Sequence, residues 1–195
     1  MKKAAFIVTV VLCCVLTMFS AFASKALVNV DVLSSGTVSG DFYGGFVEAR
    51  TIDKLATRSG PATEYRETGT YNVKGQYVRV LSLAYDRNGL CWVHCEVASG
   101  NKLRRVYTGL KRFDTGSFDV YGVPVEDPPD DRVRVLSTSK AMYGPGAGYD
   151  TYGSLTVDKG QTVTVIAIEN GYAQVEWTTK IQSYRAWVPI HTLDY

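Results

Sequence analysis

The sequence predicts an all-β protein made of two small domains in tandem, and three observations carry that prediction. Residues 55–76, LATRSGPATEYRETGTYNVKGQ, return in altered form at residues 139–161, SKAMYGPGAGYDTYGSLTVDKGQ. Short runs rich in Val, Tyr, Leu and Thr alternate with Gly-Pro, Lys-Gly and Asn-Gly turn signals. Between the copies lies a stretch of proline and acid, VYGVPVEDPPDD, that resists regular structure.

The repeat holds position by position. Gly60-Pro61 answers to Gly144-Pro145, Tyr65 to Tyr149, Gly69 to Gly153, and Lys74-Gly75-Gln76 to Lys159-Gly160-Gln161. Downstream, Val78 and Val80 match Val163 and Val165, Asn88-Gly89 matches Asn170-Gly171, Val93 matches Val175, and Arg105-Val106-Tyr107 matches Arg185-Ala186-Trp187. Two copies make a tandem pair, since a solenoid needs about three repeats to bury a core.

Residues 1–23 read as a signal peptide. Lys2 and Lys3 precede an apolar run at 4–19, and Ala21-Phe22-Ala23 supplies the small-x-small pattern for cleavage after Ala23. The protein is then expected to be secreted, in association with a cell wall or free. An uncleaved segment of about 20 residues would instead just span a bilayer, which is the one route to a membrane. Neither Cys13 nor Cys14 is preceded by the small residue that lipid attachment requires.

Loss of residues 1–23 removes two lysines and leaves 19 basic against 19 acidic residues. That balance argues against generic nucleic-acid binding, which rests on a basic excess. Residues 55–116 nonetheless hold ten basic and five acidic residues, and residues 117–131 hold five acidic and none basic. The first domain could therefore attract an anion, or merely the acidic linker beside it. Cys91 and Cys95 alone remain, too few for a disulfide framework.

In chain order, residues 24–50 read as a leader of low order with room for one short strand. Residues 51–116 form the first domain. In its strand at 90–97, Cys91, Val93, Cys95 and Val97 share one face, and Trp92, His94 and Glu96 share the other, which predicts a sheet with one buried side. Residues 117–131 read as a stiff extended linker, and residues 132–195 form the second domain. A domain of about 60 residues is marginal alone, and a closed barrel of short, bent strands manages both its small core and its open edges.

With these residues in view, both repeats resemble the bacterial SH3-like (SH3b-type) domain family. Leu55-Ala56-Thr57-Arg58-Ser59-Gly60-Pro61, with Tyr65 following, is similar to the family's opening, and Lys74-Gly75-Gln76 with Val78 and Val80 is similar to its next turn and strand. The second copy keeps Gly144-Pro145-Gly146, Tyr149, Lys159-Gly160-Gln161 and a closing Trp187-Val188, but has Met142 where Arg58 stands. The resemblance implies two SH3-like barrels joined by the Pro/acidic linker. It implies a non-catalytic recognition module on an exported bacterial protein, with peptidoglycan, its peptide stems or another protein as ligand. Fold alone does not choose among these.

Enzyme chemistry is poorly supplied. His94 adjoins Cys95, but neighbours in a strand point to opposite faces, so the two cannot form a nucleophile–base pair without a bulge. Four residues of strand hold Cys91 and Cys95 about 13 Å apart, beyond disulfide reach, and the same geometry rules against a metal site. Aligned with Ala173 and Trp177, the two cysteines read as core residues. No enzyme, cofactor or metal is expected.

Binding is better supplied. Tyr and Trp offer a flat apolar face with a polar tip, suited to a wet groove. Tyr65 with Tyr149 and Tyr107 with Trp187 recur in both repeats, which favours structural roles for them. Tyr71, Tyr85 and Trp92 do not recur and are the ligand-binding candidates, with Arg58, whose guanidinium can fork onto a carboxylate. The alternative for Arg58 is a salt bridge to Glu64 or Glu67. Arg104, Arg105, Lys111 and Arg112 read as a solvated strand face. The expected function is recognition of a cell-envelope component, peptidoglycan or an anionic wall polymer. The alternative is an adaptor that holds an exported protein partner.

Overall fold

The computed structural model describes residues 46–126 and 131–195; residues 1–23, expected to be a signal peptide, residues 24–45 of the leader and residues 127–130 of the linker lie outside the described residues. What is described is all-β. Six strands, β1 (Val47–Arg50), β2 (Leu55–Arg58), β3 (Glu67–Tyr71), β4 (Tyr77–Tyr85), β5 (Cys91–Ser99) and β6 (Lys102–Gly109), form one antiparallel sheet in the order β1-β4-β5-β6-β2-β3. The next six, β7 (Asp131–Arg134), β8 (Ser139–Met142), β9 (Thr151–Val157), β10 (Thr162–Glu169), β11 (Tyr172–Thr178) and β12 (Ser183–Pro189), form a second sheet in the equivalent order β7-β10-β11-β12-β8-β9. The sequence repeat is thus a repeat of topology.

Register sharpens the correspondence. Val80 pairs with Cys95 and Ser82 with His94 across a bulge; Val165 pairs with Val175 and Ala167 with Gln174 across the same bulge. Cys95 therefore corresponds to Val175 and Val93 to Ala173, so the matches of Val93 to Val175 and of Cys91 and Cys95 to Ala173 and Trp177 are corrected. The displacement arises at the hairpin tips. Beyond the pair Ile168–Ala173 the second hairpin turns at once through Asn170 and Gly171, both with positive φ, as a two-residue loop prefers. Beyond the equivalent pair Leu83–Val93 the first continues through Tyr85–Cys91 and turns where Gly89 adopts positive φ. Cys91 lies in this extension and has no counterpart.

Two further expectations change. The first sheet begins before residue 51, because Val47 and Ala49 of β1 pair with Val80 and Val78. The linker is no free spacer over residues 117–126. After a short 3-10 turn at Val120–Gly122, Val123 is buried, and the Leu83 amide donates to the Pro124 carbonyl while the Glu126 amide donates to that of Leu83.

β5 is buried on both sides, not one. Val93, Cys95 and Val97 join the apolar core, whereas Trp92, His94 and Glu96, on the opposite face, are covered as well. Glu126 of the linker lies against His94 and Tyr149 of the second repeat against Glu96, whereas Trp92 clusters with Ala84 and Tyr107 of its own sheet.

Candidate functional site

Each sheet lends the other a hydrogen-bonding edge. The Arg66 amide donates to the Ser183 carbonyl at 3.0 Å and the Ser183 amide to the Glu64 carbonyl at 3.0 Å; reciprocally, Asp150 donates to Leu103 at 3.0 Å and Leu103 to Gly148 at 3.1 Å. Side chains follow the same two-fold relation. Tyr65 donates its hydroxyl to Glu176 at 2.6 Å, and Tyr149 donates its own to Glu96 at 2.5 Å. Burial raises the pKa of both phenols, so both remain donors.

Two buried arginines complete the joint. Arg105 forks onto Glu169 at 2.7 and 3.1 Å, and Arg185 reaches Glu176 at 2.7 Å and Glu126 at 2.6 Å. The register makes Ala84 the counterpart of Glu169, so the first sheet has no acid at that place. Glu126 of the linker brings one instead. Its carboxylate accepts from Ser82 at 2.7 Å and from Tyr107 at 2.9 Å, and lies 3.2 Å from His94 Nδ1. Burial opposes the charge of Glu126, but His94, Arg185 and Ser82 outweigh it and lower the pKa to about 2. His94 is wholly buried and stacks on Tyr107 at 4.3 Å; burial lowers its pKa, leaving a neutral ring whose Nδ1–H faces the carboxylate. The group that sequence patterning placed beside a thiol is thus part of the joint. Cys95 points to the other face, and burial pushes its thiol up to about 12.

The proposed ligand residues fall in two places, Tyr85 and Trp92 on the β4–β5 hairpin and Arg58 and Tyr71 on β2 and β3. Arg58 donates to the Thr63 and Tyr65 carbonyls at 2.7 Å each and pairs with Glu67 at 2.8 Å, closing its own Gly-Pro turn. Tyr71 accepts from Arg104 at 3.1 Å. Trp92 is 9% exposed, with its Nε1 3.4 Å from Asp86, so it offers no free face. Tyr85 is 55% exposed, at the tip extension of the first hairpin. The basic cluster is not a solvated face: Arg105 is buried, Arg104 pairs with Asp150 and Arg112 with Asp53, leaving Lys111 exposed.

A groove of about 410 Å³ lies along β9, the end of β11 and the start of β12, with Arg66, just before β3, as the contribution of the first repeat. One wall is formed by half-buried Tyr184, backed by buried Trp177, on which it stacks at 5.1 Å and 8° between planes. Arg66 also lines it, its guanidinium 5.9 Å from the ring centre of Tyr152, and residues 154–156 of β9, Asp158, Gln161 and Thr179 contribute the rest. Arg66 reaches this place because its own amide is tied to Ser183, next to Tyr184. Sequence reading passed over Arg66, Trp177 and Tyr184. The available signal was a difference between the repeats, since Arg66 stands where the second copy has Asp150, and Tyr184 where the first has Arg104.

Among the described residues no cluster of His, Cys, Asp and Glu is placed to hold a metal, and no helix is long and apolar enough to cross a membrane. A scan against protein-family models and a search of curated proteins return no match to the chain.

Proposed function

We propose that the chain is an exported, non-catalytic binding protein whose two SH3-like domains act as one body and recognise a bacterial cell-envelope component, peptidoglycan or an anionic wall polymer. The observation that carries this reading is the groove, whose lining combines Tyr184, a guanidinium, and amide and hydroxyl groups. Half-buried Tyr184, supported from behind by Trp177, suits the apolar face of a sugar or a peptide side chain, and the polar groups fix its orientation. The resemblance of both repeats to SH3-like modules points the same way.

Co-sedimentation of the purified chain with peptidoglycan sacculi, at low and high salt, tests the reading. Saturable binding that weakens in Tyr184→Ala, with the far-ultraviolet spectrum unchanged, is expected. An unbound chain at every salt concentration would remove the wall as target. The adaptor reading draws on a different surface, where exposed Tyr85 and Leu90 occupy one hairpin tip with Tyr121 nearby. It predicts that Tyr85→Ser, and not Tyr184→Ala, releases a bound protein.

A further inference from the structure

The two halves of the joint are related residue for residue, so their differences stand out. In the first half Arg104 is the counterpart of Tyr184 and Asp150 of Arg66. There the two charges neutralise each other: Arg104 meets Asp150 through two nitrogens, at 2.5 and 2.9 Å, lies 4.6 Å from the Tyr143 ring centre and donates to Tyr71. In the second half an aromatic ring replaces the arginine, and an arginine replaces its acid. Arg66 is half-buried and makes no ion pair among the described residues. A cation so placed, against aromatic rings, favours an anion as its missing partner.

The floor narrows the choice. Ser154, Leu155 and Thr156 all line the groove, although successive side chains of a strand point to opposite faces. The strand therefore presents its edge. β9 ends its sheet, and it has seven residues where β3 has five. Main-chain donors and acceptors along an open edge match amide groups. Asp158 gives the groove one negative group to set against Arg66, and suits an N–H donor.

We propose that this groove is a carboxylate-recognition site, present in the second half only, that takes a short peptide-like ligand with its free carboxylate on Arg66 and its amides along β9. The inference rests on the binding role proposed above and adds to it a chemical rule, that the carboxylate is required. It also explains why one of two similar halves binds: in the other, Arg104 and Asp150 already satisfy one another.

The test is titration of the full chain, followed by tryptophan fluorescence and calorimetry, with acetyl-Lys-D-Ala-D-Ala and with the same peptide as its carboxamide. The free acid is expected to bind at least tenfold tighter than the amide. Arg66→Gln should erase that difference, and Asp150→Asn, in the other half, should leave it intact. Far-ultraviolet spectra and unfolding midpoints control for folding. Equal binding of acid and amide, or a preference for the acid that survives in Arg66→Gln, would overturn the proposal, as would failure of both peptides to bind. Sacculus binding measured alongside separates the two ideas. A chain that sediments with sacculi but ignores both peptides keeps the wall reading and loses the carboxylate rule, and a chain that prefers the free acid but ignores sacculi does the reverse.

Discussion

Tyr65 of the first repeat hydrogen-bonds Glu176 of the second, at 2.6 Å, as Tyr149 of the second hydrogen-bonds Glu96 of the first. These tyrosines are the most recognisable feature of the repeated motif, and each serves the other repeat. Removing one hydroxyl takes a donor from a carboxylate that is buried or nearly so. Tyr149→Phe is expected to cost about 1–3 kcal/mol. Tyr65→Phe should cost less, because Glu176 is more exposed than Glu96 and keeps Arg185 at 2.7 Å. Urea unfolding checks both, and a single transition in both variants would show that the sheets unfold together.

Arg185 holds the linker to the second sheet. Arg185→Met leaves the Glu126 carboxylate buried, with its main cation gone, and should cost about 3–5 kcal/mol. Adding Glu126→Gln neutralises the stranded acid. The double variant should therefore be more stable than Arg185→Met alone, a non-additivity that urea unfolding of the four chains resolves. Strict additivity would mean that the two groups do not act as a unit.

The glycine of each Gly-Pro turn is set by a close approach. A Cβ on Gly60 would enter the ring of Tyr65, and one on Gly144 the ring of Tyr149. Neither glycine needs positive φ, so the constraint is contact, not backbone conformation. Gly144→Ala is expected to lower stability by about 1–3 kcal/mol, with Gly60→Ala similar. Thermal unfolding measures the loss. It should shrink in Gly144→Ala combined with Tyr149→Ala, relative to Tyr149→Ala alone.

The strands and their two-fold organisation were legible because hydrophobic alternation and turn residues are local signals. The Asn-Gly pairs marked hairpin tips correctly, but equal tips hid unequal stems, and the cysteine alignment slipped by two residues. Burial of His94 and Glu96 was not legible, because alternation reports one covered face and cannot see cover supplied by distant groups, here Glu126 and Tyr149. The linker misled for a related reason. Its prolines and acids do read as extended chain, yet one of those acids, Glu126, is drawn inward by Arg185 and His94, partners far away in sequence. The groove was visible only as a contrast, Arg66 against Asp150 and Tyr184 against Arg104, in positions where attention to matches passes over mismatches.

Stability should fall on acidification in two stages, both from the joint. His94 is held neutral by burial, and its folded pKa lies below the ordinary value of 6.5. An unfolded His94 takes up a proton more readily than the folded one, so stability is lost as pH falls below about 6.5. Glu126 has a folded pKa of about 2 against an ordinary 4.5. Its contribution is present above 4.5 and is lost as pH falls from there through about 2, because the unfolded chain again binds the proton first. His94→Gln, which copies Gln174 at the equivalent position, should flatten the upper stage and leave the lower one in place. Glu126→Gln should flatten the lower stage. Urea midpoints between pH 7 and pH 3 read both, and a wild-type midpoint unchanged from pH 7 to pH 5 would show that His94 is not held neutral by the fold.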